Sequence, residues 1–180
     1  GIRDKLVTGV QTCALPILLF RRILEYKNVK TIHEVWPNLE VYFHGGVSFL
    51  PYREQFRKII GDNSTANLQL FNASEGFFGI QFEKESDELM LMLDYGIYYE
   101  FIPLDKVHDE IPKVINLSEV EIGKHYEMVI TTSAGLWRYR LGDVIEFTSI
   151  IPFRFIVAGR TKNYINVFGE ELMVHNAEQA

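Results

Sequence analysis

Three short segments carry the residues with chemistry to offer. The first is Phe71-Asn72-Ala73-Ser74-Glu75-Gly76-Phe77-Phe78-Gly79. A hydroxyl beside a carboxylate, on a loop after a β-rich run, suits a nucleotide site. Ser74 can hydrogen-bond a phosphate oxygen, and Glu75 can hold Mg²⁺, a hard ion that favours carboxylate oxygen. The second segment runs from Thr131 to Asp143 (TTSAGLWRYRLGD). Asp143 follows Gly142, where the chain can turn sharply, and a carboxylate so placed can accept both hydroxyls of a ribose. The third runs from Gly159 to Glu171 (GRTKNYINVFGEE). Its Arg160 is always charged and can contact phosphate or ribose, and the polar run Thr161 to Asn163 can serve as a hinge. Each segment alone also has a plainer reading: a turn with a solvated Glu, a hairpin with aromatic packing and an Asp in its turn, a surface loop.

The elements that must position these residues can be read from the pattern around them. Leu18 to Lys27 reads as the end of an amphipathic helix, and Tyr52 to Ile60 has helical spacing that stops at Gly61. Leu39 to Phe43, closed by Gly45-Gly46, reads as a strand and turn. Asn67 to Phe71 is a strand that leads into the polar loop Asn72 to Gly79. Glu83 to Glu88 is a charged hairpin loop. Leu89 to Leu93 and Ile97 to Ile102 flank Asp94-Tyr95-Gly96, a turn signal between two apolar runs. Tyr126 to Thr132 and Leu136 to Thr148 make a second hairpin across Ser133-Ala134-Gly135, with Trp137 and Tyr139 on one face and Arg138 and Arg140 on the other. Phe153 to Ala158 is one more strand, and a helix is expected to begin at Glu170. Helices and strands mixed first, then a β-rich stretch, predict an α/β fold that passes into antiparallel sheet.

The composition narrows the function. The chain has 180 residues, 47% hydrophobic and 13% aromatic, enough for a buried core. Its net charge is −6, and Lys and Arg are scattered, so it lacks a nucleic-acid footprint. No stretch approaches the roughly 20 apolar residues that span a bilayer, and a cytoplasmic location is expected. Its 5 histidines show no HExxH or paired spacing. His44, at a strand end before a glycine turn, is a candidate wall of a substrate pocket, although packing or solvation is the plainer reading. The single cysteine, Cys13, lies in Val7 to Ile17 (VTGVQTCALPI), eleven residues that resemble the translation of a sequencing-library adapter. Residues 1–17 are therefore read as foreign to the domain, which leaves no thiol for disulfide, metal or nucleophile.

Order and spacing say more than any single segment. Ser-Glu, then Gly-Asp, then Gly-Arg resembles the adenylate-forming superfamily of acyl-CoA synthetases, luciferases and peptide-synthetase adenylation domains. Trp36-Pro37-Asn38, the Ser-Glu loop ending in Phe78-Gly79, Tyr99-Glu100-Phe101-Ile102-Pro103 and Thr131 through Val144 are similar to the auxin-responsive Gretchen Hagen family of acyl-acid amido synthetases. Gly159 through Ala177 is similar to its bacterial members. The resemblance implies a firefly-luciferase-like large domain, present in part over residues 18–158, with residues 159–180 as the hinge and start of a small C-terminal domain. It implies ATP and Mg²⁺ as cofactors, and a small carboxylic acid and an amine or amino acid as partners. Ser74 would lie by the α-phosphate and Glu75 on Mg²⁺. Tyr99 and Phe101 would flank the adenine, Asp143 would hold the ribose hydroxyls, and Arg160 would contact ribose or phosphate.

The match has departures. Phe71 takes the place of the family's usual Tyr, and Asn72-Ala73 replaces a pair that often ends in Ser, so one hydroxyl is missing. No Ser/Thr/Gly-rich phosphate loop precedes Trp36, and no GxxxxGK[ST] occurs. Truncation at both ends is the expectation, with the family's C-terminal lysine beyond Ala180. Two other readings stay open: an acyl-CoA ligase of the same superfamily, and a non-catalytic adenylate-binding protein. The purified 180-residue chain is expected to release no pyrophosphate from ATP with any acid; measurable release would refute this.

Overall fold

In the computed structural model the described residues are 11–45, 49, 52–61, 65–84, 86–161, 164–167 and 170–173. The chain divides into two structural units, residues 1–86 and 87–180.

The first unit sets helices against a short sheet. Helix α1 spans Gln11–Lys27. Ile17 is buried, and Phe20, Ile23 and Leu24, at helical spacing from it, pack against the same core. The helix ends where Asn28 turns left-handed at φ 53°. The Asn28 and Val29 amides then donate back to the Glu25 and Leu24 carbonyls, which closes the last turn. A single turn, α2 (Ile32–Val35), follows. The Glu34 carboxylate accepts from the Thr31 amide at its start, at 2.9 Å. Strand β1 (Val41–Gly45), helix α3 (Arg53–Ile60) and strand β2 (Ala66–Ala73) form a crossover, with β1 and β2 parallel. Phe56, Ile59 and Ile60 of α3 complete a core with Ile17, Ile32 and Phe49. Strand β3 (Gly76–Gln81) then runs back antiparallel along β2.

The second unit is mostly antiparallel sheet. Its strands are β4 (Leu89–Leu91), β5 (Ile97–Pro103), β6 (Ile115–Asn116), β7 (His125–Thr132), β8 (Tyr139–Ile150) and β9 (Phe153–Arg160). Their spatial order is β4-β9-β8-β7-β5-β6. One side carries an aromatic cluster: Phe101 meets Phe147 edge-on at 5.2 Å, and Tyr126 meets both rings. Another cluster gathers Ile102, Leu104, Val107, Val129 and Val144. Strands β10 (Tyr164–Val167) and β11 (Glu170–Met173) form a separate two-stranded hairpin.

Several expectations are revised by the structure. The expected loop Asn72 to Gly79 is largely paired strand, because a hairpin turn needs only two residues. The runs on either side of Asp94-Tyr95-Gly96 do not pair with each other: β4 pairs with β9 and β5 with β7. Tertiary partners far along the chain win over the local turn. Residues 170–173 are strand and not the start of a helix, and residues 174–179 lie outside the described residues.

Gly61 ends α3 at φ 83°, with its amide bound to the Arg57 carbonyl. A Cβ there would lie 2.4 Å from Thr31 Cβ. Strain at positive φ adds to that clash, so Gly61→Ala is expected to cost about 1–3 kcal/mol in urea unfolding. Double substitution with Thr31→Ala should recover part of the loss.

Candidate active site

The Ser-Glu pair sits at the tip of the β2–β3 hairpin. Ala73 pairs with Gly76, so Ser74 and Glu75 are the whole turn. Ser74 Oγ donates to Glu75 Oε2 at 3.0 Å. Pairing of the strands below fixes where the turn projects, and a bulge on β3 beside Phe71 adds local twist. The donor set suits Mg²⁺, which binds through one or two carboxylates and completes its shell with phosphate oxygens and water. Among the described residues no three His, Cys, Asp or Glu gather to make a full protein cage. One carboxylate with an adjacent hydroxyl leaves coordination positions to phosphate oxygens and water.

In the second unit Asp143 and Arg160 are brought together. They are direct partners across β8 and β9, and Arg160 Nε donates to Asp143 Oδ1 at 2.7 Å. The carboxylate is buried, with 9% of its side chain exposed, whereas the Arg160 side chain is 65% exposed. A charge-assisted bond of this length orients the carboxylate. Asp143 arrives there through a bulge. Val129 pairs with Arg140 and Glu127 with Val144, so Leu141, Gly142 and Asp143 together oppose the single residue Met128. Gly142 takes φ 76° within it, and its carbonyl accepts from Thr161 Oγ1 at 3.3 Å.

The aromatic pair is placed differently from the expectation. Phe101 is wholly buried, its edges taken by Tyr126 and Phe147. Tyr99 is 4% exposed, and its hydroxyl donates to the Met92 carbonyl at 3.1 Å. Burial pushes that hydroxyl's pKa well above the usual tyrosine value. Both therefore pack in the sheet interior and offer no ring face to a base. Strand alternation turns Tyr98 outward instead, 58% exposed, with its hydroxyl on Asn116 Oδ1. Tyr98 is a residue the sequence reading passed over: alternation sets it apart from Tyr99 and Phe101 without saying which face looks inward.

The two arginines of the hairpin share an environment of carboxylates. Arg138 lies outside β8 at φ 46°, and its amide donates to Thr131 Oγ1 while Nε reaches Glu100 at 3.1 Å. That left-handed residue leaves Trp137 82% exposed. Arg140 reaches the buried Glu127, another residue absent from the sequence-based candidates. His44 does not stand at an open wall. Its ring stacks on Phe49 at 4.0 Å and 18°, within the aromatic layer between β1 and α3, so the plainer reading of a packed His describes its placement.

The GH3 family N-terminal domain matches residues 2–65, and the GH3 family central domain matches residues 90–160. The chain is 34% identical over 145 residues to an indole-3-acetic acid-amido synthetase, GH3.3, of Arabidopsis thaliana, covering 74% of this chain and 23% of that protein. It is 38% identical over 122 residues to the jasmonoyl-L-amino acid synthetase JAR4 of Nicotiana attenuata, covering 64% of this chain and 21% of that one. The chain thus spans about a quarter of the length of the curated relatives it matches. Among solved structures, the acyl acid amido synthetase AtGH3.15 in complex with 2,4-DB superposes with a TM-score of 0.59 at 23% identity, over 79% of this chain and 25% of that one. The fold is accordingly the mixed α/β fold of adenylate-forming enzymes, present in part.

If Phe101 is core, Phe101→Ala should cost about 3–5 kcal/mol of stability, whereas Phe101→Leu should cost less than about 1.5. Denaturant melts decide this. Unchanged stability in Phe101→Ala would return the ring to the list of candidate ligand contacts.

Proposed function

The chain belongs to the GH3 family, two of whose domains together match three quarters of it, and on that premise we propose that its chemistry is that of an ATP-dependent acid–amino acid ligase. A carboxylic acid attacks the α-phosphorus of ATP, the bond to pyrophosphate breaks, and an acyl-adenylate forms. The amine of an amino acid then attacks the acyl carbon, and AMP leaves with the electron pair of the broken C–O bond. Such chemistry depends on placing the acid and neutralising phosphate charge more than on a protein nucleophile.

The observation that carries this reading is the Asp143–Arg160 pair on the partner positions of β8 and β9, inside the segment that matches the family's central domain. A buried carboxylate beside an exposed guanidinium suits a ribose on one side and a phosphate on the other. Asp143 accepts from the ribose hydroxyls, and Arg160 bonds the ribose or a phosphate. Ser74 Oγ donates to the α-phosphate, and Glu75 holds Mg²⁺. When bound, that ion offsets the charge on the phosphates. The adenine site is not assigned to Tyr99 and Phe101, given their burial.

Names of the relatives support an acid partner and an amino-acid acceptor: they are amido synthetases for indole-3-acetic acid and jasmonoyl–amino acid synthetases. Auxin itself is not part of the proposal. Bacterial affinity is, on the strength of Gly159-Arg160 and the residues after it, and so is a foreign origin for Val7 to Ile17. No helix among the described residues is long and apolar enough to cross a membrane, and a cytoplasmic site of action accords with an ATP-consuming reaction.

ATP–pyrophosphate exchange across a panel of acids tests the proposal, in a protein of full family length that carries this sequence. Glu75→Gln is expected to lower exchange about a hundredfold. Asp143→Ala should raise the ATP requirement by about ten- to a hundredfold, as befits lost hydrogen bonds to a charged acceptor. Normal exchange in Glu75→Gln would remove the Mg²⁺ role, and a thioester product with coenzyme A in place of an amide would favour the acyl-CoA ligase reading.

A further inference from the structure

Glu127 has no part in the chemistry described above, yet its side chain is only 3% exposed. A carboxylate gives up its water at a cost that only a well-placed partner offsets. That partner is Arg140. Its Nε donates to Glu127 Oε2 at 2.9 Å, and its Nη2 donates both to the same oxygen and, at 3.1 Å, to the Val107 carbonyl. The position of the two contacts along β8 is what gives the pair its meaning. In the backbone, Glu127 is in register with Val144, whereas its side chain grips Arg140. Val144 and Arg140 are the residues on either side of Leu141-Gly142-Asp143, the three that bulge out opposite Met128. One residue of β7 therefore holds both feet of the bulge.

We infer that Glu127, acting through Arg140, is a positioning residue: a clamp that fixes the bulge and so aims the Asp143 carboxylate at the ribose hydroxyls of a nucleotide. This rests on the reading of Asp143 as the ribose-binding group. The planar guanidinium fork makes Arg140 suited to the task, because it fixes direction as well as distance. Within the bulge Gly142 sits at φ 76°, with all the freedom of a glycine, so the backbone that carries Asp143 depends on what holds the two ends of the bulge. Arg160 orients the carboxylate from β9, and the clamp fixes the backbone from which that carboxylate projects.

Amide hydrogen exchange on the 180-residue chain tests the clamp. Glu127→Gln keeps the shape and one acceptor oxygen but removes the charge. It is expected to speed exchange over residues 141–144 about tenfold while the amides of Phe147 and Phe155 keep their wild-type rates. Equal acceleration throughout the sheet would mean that Glu127 serves only stability, and no acceleration would mean that it holds nothing; either outcome overturns the clamp. If Glu127→Gln does not fold, Arg140→Lys, which keeps the cation and loses the fork, carries the same comparison. A second arm adds ATP or 2′,3′-dideoxy-ATP to a protein of full family length that carries this sequence. ATP alone is expected to slow exchange at 141–144 in the wild type, and that discrimination should vanish in both Asp143→Asn and Glu127→Gln. No ATP effect in the wild type would overturn the ribose reading of Asp143, while the nucleotide-free comparison still decides the clamp.

Discussion

The register of β8 between its two neighbours is the constraint from which the second unit follows. Three residues of β8 pass while β7 advances by one, and on the other side β9 contributes the extra residue, between Val144 and Ile145. These offsets are what bring Asp143 opposite Arg160, seventeen residues later in the chain, and bury a carboxylate there. The apolar residues on either side of that offset, Val144 and Ile145, are wholly buried, so a slip of one residue would exchange side chains between the two faces and break the packing of both. Hydrophobic burial thus holds the register, and the register holds the charges.

The first unit solves a related problem with a crossover. Parallel strands cannot be joined by a tight turn, so β1 and β2 need a segment between them, and α3 supplies it while covering one side of the pair. The aromatic layer that results, Tyr42 stacked on Phe56 at 5.5 Å and His44 on Phe49, fixes β1 and β2 firmly enough for β2 to serve as the base of the Ser74-Glu75 turn. A two-residue turn has few conformations, and side chains placed there inherit the order of the strands beneath it.

What could be read from the sequence was whatever is encoded locally. The stop of α3 at Gly61 depends on one glycine, and the β7–β8 hairpin on Ser133-Ala134-Gly135; both were legible. Ser74, Glu75, Asp143 and Arg160 stand out as candidates in the sequence because their residue types sit beside glycines and strands in a recognisable order. The face of β5 was not legible in the same way. Alternation separates Tyr98 from Tyr99 but does not say which of them looks inward; only the packing of Phe101 against Phe147 decides that. Glu127 was missed because its meaning depends on a bulge in another strand. The partner of β4 was missed because β9 is more than sixty residues away, as the Arg154–Glu88 pair beside it illustrates with a separation of 66.

The left-handed backbone at Arg138 has an optical consequence. It leaves the indole of Trp137 in water, 82% exposed, whereas Trp36, 44% exposed, keeps an edge contact with Phe20 at 6.3 Å. These are the 2 tryptophans of the chain, and each structural unit has one. Their emission should differ in colour and in access to a soluble quencher. The chain therefore carries its own pair of fluorophores, by which the opening of each unit can be followed separately without a label.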